Sequence, residues 1–154
     1  MTDDWGDVLL ALLDAGARFL VVGAHAMAVH GVPRGTQDLD VWIDAEPANA
    51  ERVWRGLAAF GAPLESLQLT IADLQRPDTI IQLGLPPWRI DLLTAISGVP
   101  DFAQAWAGRI EHPVGGRLVP FLGRADLVRN KRASGRRKDL GDLEALGDLP
   151  PDSA

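Results

Sequence analysis

Two aspartates separated by one leucine, Asp38-Leu39-Asp40, open the apolar run DLDVWID over residues 38–44, and they restrict the fold more than any other feature. In a β-strand, side chains alternate between faces, so residues two apart share one. Asp38 and Asp40 then project together, while Leu39, Val41 and Ile43 point the other way into a core. Neighbouring carboxylates on one sheet face repel each other. They are tolerated when a divalent cation lies between them or when one carries a proton.

The flanking text extends this reading. The apolar run FLVV, residues 19–22, ends at Gly23. A short helical segment and a Gly/Pro-punctuated loop, HGVPRGTQ, then lead into the acids. Further on, WRIDLLTAI (residues 88–96) reads as another strand, with Arg89, Asp91 and Leu93 on one face and Trp88, Ile90 and Leu92 on the other. Pairing this strand beside the first would let Asp91 complete a three-carboxylate cluster. Hard oxygen donors of this kind suit Mg²⁺ or Mn²⁺, which keep waters and take substrate phosphates as further ligands. With no cysteine and only three histidines, a zinc site is not expected.

In this order, Gly23-Ala24, Asp38-x-Asp40 on a strand and Asp91 on a later strand resemble the polymerase-β-like nucleotidyltransferase superfamily. The likeness is nearer to small bacterial nucleotidyltransferases, including toxin–antitoxin types. It is carried by residues 21–44, 88–94 and 130–146, in the patterns GAHAxAxHGxPRxTxDLDxWI, RIDLL and NKxAxGRxKDLxDLxAL. An isolated DxD says little; the ordered combination is specific for fold and superfamily and less so for substrate. One departure is Ala24, where the superfamily usually has Gly or Ser: a backbone N–H contact to phosphate survives it, a serine hydroxyl contact does not. The resemblance implies an α+β fold, a mixed twisted sheet with helices packed mainly on one side. It also implies transfer of a nucleoside monophosphate from an NTP, such as ATP, to a hydroxyl acceptor with release of pyrophosphate. Asp38, Asp40 and Asp91 would be the catalytic, metal-holding acids for Mg²⁺ or Mn²⁺, two ions being expected. Gly23, Ala24 and Arg34 would steady the β,γ-phosphates.

Composition limits the alternatives. A chain of 154 residues, 47% apolar and 23% charged, is expected to form one domain over 1–149 with a real core, followed by a frayed tail at 150–154. The acidic start MTDDWGDVLL does not look like a signal peptide, and no run approaches membrane-spanning length, so a cytoplasmic, membrane-free protein is expected. A net charge of −6 argues against general nucleic-acid coating. Yet residues 124–138 hold seven of the fifteen basic residues and one acid, either a solvated helix face or a patch that meets phosphates.

Periodicity predicts a helix over 3–15, with Trp5, Val8, Leu9, Leu12 and Leu13 on one stripe and Gly16 as its stop. A strand over 18–22, a helix over 24–30 and the strand 38–44 follow. Pro47 opens a helix to about Phe60. Residues 64–76 are ambiguous, with a short helix ending before Pro77 as one option. Strands 79–83 and 88–93 read as a hairpin across Gly84–Pro87, and 101–107 as a short helix. Strands near 109–112 and 117–121 flank the turn Gly115-Gly116, and two short helices, about 124–133 and 136–147, meet at Ser134-Gly135.

Several candidates carry two readings. Gly23 either ends a strand or exposes N–H groups to phosphate at a helix start. Arg34 could grip a phosphate bidentately, and Thr36 could cap its loop or bond near the metals. Lys131 and Lys138 could bind phosphate, although Lys138 could instead pair with Asp142 one turn on. Asp44 is expected to cap the loop before Pro47, His25 and His30 to be structural or to touch substrate, and Trp42 and Trp88 to be core or partner-facing. The competing class is a non-catalytic module that binds nucleotide or a partner protein. Because little chain is left for acceptor recognition, a homodimer or partner protein could supply it. A tRNA end, a protein hydroxyl and a small molecule all remain open as acceptors.

Overall fold

The computed structural model describes residues 3–36, 38–84 and 89–147. Its elements are α1 (Asp3–Asp14), β1 (Phe19–Val22), α2 (Gly23–Val29), β2 (Asp38–Ile43), α3 (Pro47–Phe60), a 3₁₀ turn (Ile71–Gln75), β3 (Ile80–Leu83), β4 (Arg89–Leu93), α4 (Phe102–Ala107), β5 (Ile110–Val114), β6 (Arg117–Phe121), α5 (Arg124–Ser134) and α6 (Arg137–Ala145). The strands form one six-stranded sheet in the order β3-β4-β2-β1-β6-β5. The sheet is mixed: β1–β2, β3–β4 and β5–β6 are antiparallel, and β2–β4 and β1–β6 are parallel. The class is α+β.

The 38–43 alternation behaves as its pattern requires. Leu39, Val41 and Ile43 are wholly buried. They share their face with Phe19 and Val21 on β1 and with Ile90 and Leu92 on β4, their register partners or the neighbours of those partners. The apolar stripe of α1 is buried at Trp5, Val8, Leu9 and Leu12, and this helix packs on α3 and on β6. Gly56 lets α3 approach closely, since a Cβ there would lie 3.1 Å from backbone atoms of Ala11 and Leu12. Asn49, 1% exposed, pins the start of α3 to the sheet. Its amide accepts from the Arg18 N–H at 2.7 Å and donates to the carbonyls of Arg18 and Asp44 at 3.0 and 2.7 Å.

The boundaries follow local chemistry. Glu46 caps α3, accepting from the N–H groups of Ala48 and Asn49, with Pro47 in the first turn. Asp44, two residues earlier, accepts from the Glu46 N–H at 3.2 Å. The ambiguous stretch 64–76 contains the 3₁₀ turn, closed by a reciprocal box between Thr70 and Asp73. On the opposite sheet face Trp42 meets Phe102 of α4 edge-on, 5.0 Å between centroids. The loop expected at Gly84–Pro87 lies outside the described residues beyond Gly84, as do Trp88 and the tail 150–154. Among the described residues no helix is long and apolar enough to cross a membrane.

Candidate functional site

The two acid-bearing strands are neighbours, and their register is decisive. β2 pairs with β4 in parallel, with Asp40 opposite Asp91 and Asp38 opposite Arg89. All four side chains therefore leave the same face. Asp91, 8% exposed, is one of five buried polar or charged side chains among the described residues. Its Oδ1 is buried without a hydrogen-bond partner.

Arg89 crosses this cluster. Its Nη2 donates to Asp38 Oδ2 at 2.9 Å and to Asp91 Oδ2 at 3.4 Å, and its Nε lies 3.3 Å from Asp91 Oδ1. Asp40 shows the consequence of this crowding. Burial, then the charges of Asp91 and Asp38, push its carboxyl up to about 6, against the opposing pull of Arg89 and Lys138. Burial also raises Asp91; the Arg89 charge opposes this, Asp38 adds to it, and a hydrogen bond from Asp40 lowers it. Asp40 and Asp91 thus behave as a coupled pair able to share a proton.

Gly23 stands over this pair. It has φ +69°, a left-handed conformation that favours glycine. A Cβ built on it would collide with Asp40 Oδ2 and lie 3.2 Å from Asp40 Cγ. The Asp40 carboxylate therefore sits directly against the β1–α2 turn. No side chain caps the first turn of α2.

Asp38, Asp40, Gly23 and Ala24 line a cleft of about 770 Å³ together with Arg34 and Lys138. The far wall comes from the loop after β4 and from α5, where Asn130 donates to the Ser97 carbonyl at 3.0 Å. The predicted cations occupy different situations. Lys138 is exposed and acts on Asp40 through its charge. Lys131 is 6% exposed and pairs with Asp142 at 3.0 Å and Asp139 at 3.4 Å. Arg34 holds the same Asp142 through Nη2 at 2.8 Å and Nε at 3.1 Å. Asp142 therefore meets Arg34 and Lys131, where sequence spacing had offered Lys138. Thr36 accepts from the Asp38 N–H at 2.7 Å and so shapes the entry to β2.

Much of the basic segment 124–138 is engaged within the chain. Arg124 donates to the Leu146 carbonyl, Arg129 pairs with Asp126, and Arg136 pairs with Asp139. His30 bonds the Leu122 carbonyl at 2.8 Å. His25 packs edge-on against Trp5 at 4.9 Å, and burial lowers its pKa.

Sequence reasoning placed Arg89 beside Asp91 but assigned it no part. The signal was its i, i+2 spacing to Asp91, which puts cation and acid on one strand face. Asp139 was likewise passed over, and Asp142 was named only as a partner for Lys138. They lie i, i+3 on one helix face, and they are buried.

The donor chemistry suits a hard divalent cation: three carboxylates from adjacent strands, two of them raised by burial and then by their neighbours' charge. Among the described residues, however, no three acidic or imidazole side chains are already gathered as a metal site. The guanidinium of Arg89 lies across two of the three acids.

A mixed sheet with a DxD strand beside a third acidic strand, and a glycine turn over the acids, has the nucleotidyltransferase fold. Among solved structures, a putative nucleotidyltransferase from Thermotoga maritima superposes with a TM-score of 0.60 at 15% identity, over 90% of this chain and 86% of that one. No protein-family model matches the chain, and no curated protein matches it.

Proposed function

We propose that this protein is a metal-dependent nucleotidyltransferase that moves a nucleoside monophosphate from an NTP to a hydroxyl acceptor and releases pyrophosphate. The observation that carries the reading is the in-register placement of Asp38, Asp40 and Asp91 on one sheet face, beneath the Gly23 turn. Mg²⁺ or Mn²⁺, as one or two ions held by these acids, would neutralise charge on the attacking and leaving oxygens. The chain's own residues do the rest. The backbone N–H groups of Gly23 and Ala24 receive the terminal phosphates. Lys138 adds the exposed positive charge at the same cleft. Asp91, whose carboxyl is pushed above the usual range by burial, takes the acceptor's hydroxyl proton on its carboxylate. Arg34 and Lys131 act one step removed, since both are engaged by Asp142.

The acceptor is a hydroxyl on a tRNA end, a protein or a small molecule, with a second protein chain as a possible source of recognition surface. A second reading is a non-catalytic nucleotide-binding module, and Arg89 favours it, because a guanidinium already balances two of the acids. One experiment separates them. Purified protein is incubated with each α-labelled NTP, Mg²⁺ or Mn²⁺, and a fractionated lysate. Transfer predicts a labelled fraction and pyrophosphate release, both abolished by Asp38→Ala. Tight Mg²⁺–NTP binding with no label in RNA, protein or small-molecule fractions would leave only the binding module.

A further inference from the structure

We infer that Arg89 is an internal counter-ion that holds the cation position of the carboxylate cluster and must be displaced from Asp38 before a divalent metal can bind there. The inference rests on the transferase reading only for the identity of the incoming ion. Three observations carry it. Arg89 is the register partner of Asp38, so the sheet itself delivers its guanidinium to that carboxylate. It contacts both outer acids, at 2.9 Å on Asp38 and at 3.3 and 3.4 Å on Asp91, while its side chain is only one-third exposed. Its grip is incomplete: Arg89 Nε and Asp91 Oδ1 are both buried yet form no hydrogen bond in good geometry. A guanidinium set this way is a replaceable stand-in.

Electrostatics gives the arrangement a function. Without a cation, three carboxylates on adjacent strands of one sheet would repel each other. Arg89 offsets that repulsion by holding Asp38 and Asp91 together. A divalent ion carries twice the charge in a smaller volume and accepts oxygen ligands from all three acids at once. Displaced from Asp38, whose carboxylate lines the cleft, the Arg89 guanidinium would be free to meet an anionic phosphate bidentately. Arg89 would then set metal affinity by competition and couple metal arrival to phosphate capture. The loop 33–36 offers no equivalent, because Arg34 is already bound to Asp142.

The test measures metal binding directly. Free Mn²⁺ is followed by electron paramagnetic resonance during titration of wild type, Arg89→Met and Arg89→Lys. Competition predicts that Arg89→Met binds Mn²⁺ about tenfold tighter or more, since one nearby positive charge is gone, with Arg89→Lys between the two. Equal or weaker binding by Arg89→Met would overturn the inference and show Arg89 to be an organiser of the site. A second measurement needs no variant. In ¹⁵N-labelled wild type, the Arg89 Nε–Hε resonance should shift on adding Mg²⁺, and a resonance unmoved at saturating Mg²⁺ would also overturn it. The two ideas fail separately. Tighter Mn²⁺ binding by Arg89→Met, with no labelled product from any lysate fraction, keeps the counter-ion and removes the transferase. Labelled product from wild type, with no gain of affinity in Arg89→Met, does the reverse.

Discussion

At the scale of single residues, Asp40 is the most telling position. Its folded pKa, about 6, lies above the ordinary carboxylate value. The native state therefore binds more protons than the unfolded state between about pH 4 and pH 6, and stability falls as pH rises through that window. Above it the buried, ionised Asp40 costs on the order of 3 kcal/mol. Asp40→Asn should thus be as stable as wild type near pH 3.5 and more stable at pH 7.5 in chelator-containing buffer, as read by urea unfolding at both pH values. A variant less stable at pH 7.5 would mean that Asp40 makes a structural bond the geometry does not reveal. The same variant should lose metal-dependent NTP binding. Gly23 belongs to this scale too: its left-handed backbone and missing Cβ are what let the Asp40 carboxylate sit against the β1–α2 turn.

At the scale of elements, the α5–α6 hairpin is locked to the rest of the site by charge. Lys131 of α5 meets Asp139 and Asp142 of α6, and Asp142 also holds Arg34 from the loop before β2. Burial pushes Asp139 and Asp142 up, but hydrogen bonds from Arg136, Arg34 and Lys131 and their charges outweigh it and hold both below the usual carboxylate range. Lowered values of this kind stabilise the fold above about pH 4, and the benefit is lost as pH falls further. Lys131→Met should cost about 1–3 kcal/mol at pH 7.5, because Asp139 and Asp142 then keep only Arg136 and Arg34 as partners, and less near pH 3, where the acids of the variant begin to protonate. Urea unfolding at the two pH values checks this. Unchanged stability with weakened NTP affinity would instead make Lys131 a phosphate ligand. A sequence shows that 124–138 is basic, but ion pairing across a hairpin depends on where the second helix lies.

At the scale of the whole molecule, the protein is acidic overall, with a net charge of −6, while the cleft presents Lys138 near Asp38 and Asp40. An NTP must therefore approach through a repulsive field, with Lys138 as an exposed cation at the cleft. Under the proposed function, Mg²⁺–NTP affinity should depend on Lys138 and on salt in a characteristic way. Lys138→Glu should weaken binding about tenfold, while the exposed position leaves the melting temperature unchanged. Isothermal titration at about 50 and about 300 mM salt, paired with a thermal melt, reads both. Equal affinity in Lys138→Glu would move the phosphate site away from α6.

How much of this was legible beforehand depends on the range over which each feature is decided. Period-two alternation in DLDVWI and RIDLL, a stop at Gly16, Pro47 at a helix start and the Gly115-Gly116 turn are local, and they locate the strands and helices to within a residue or two. Alternation also puts Asp38 with Asp40, and Arg89 with Asp91, on common faces, because side-chain direction in a strand follows from backbone geometry alone. That β2 and β4 would be neighbours was visible only as a condition. Their parallel register was decided by the hydrophobic face as a whole, which must pack Leu39 and Val41 against Ile90 and Leu92. Register is what sets Arg89 opposite Asp38 and Asp40 opposite Asp91, and so creates the counter-ion and the coupled acids. The engagement of Arg34 and Lys131 by Asp142 was decided the same way, since it joins residues 108 and 11 positions apart across a tertiary contact. Sequence by itself determined which chemical groups share a strand face. Only the packed sheet and hairpin decided which of those groups meet, because opposite charges distant in the chain find each other through burial of the apolar surfaces between them.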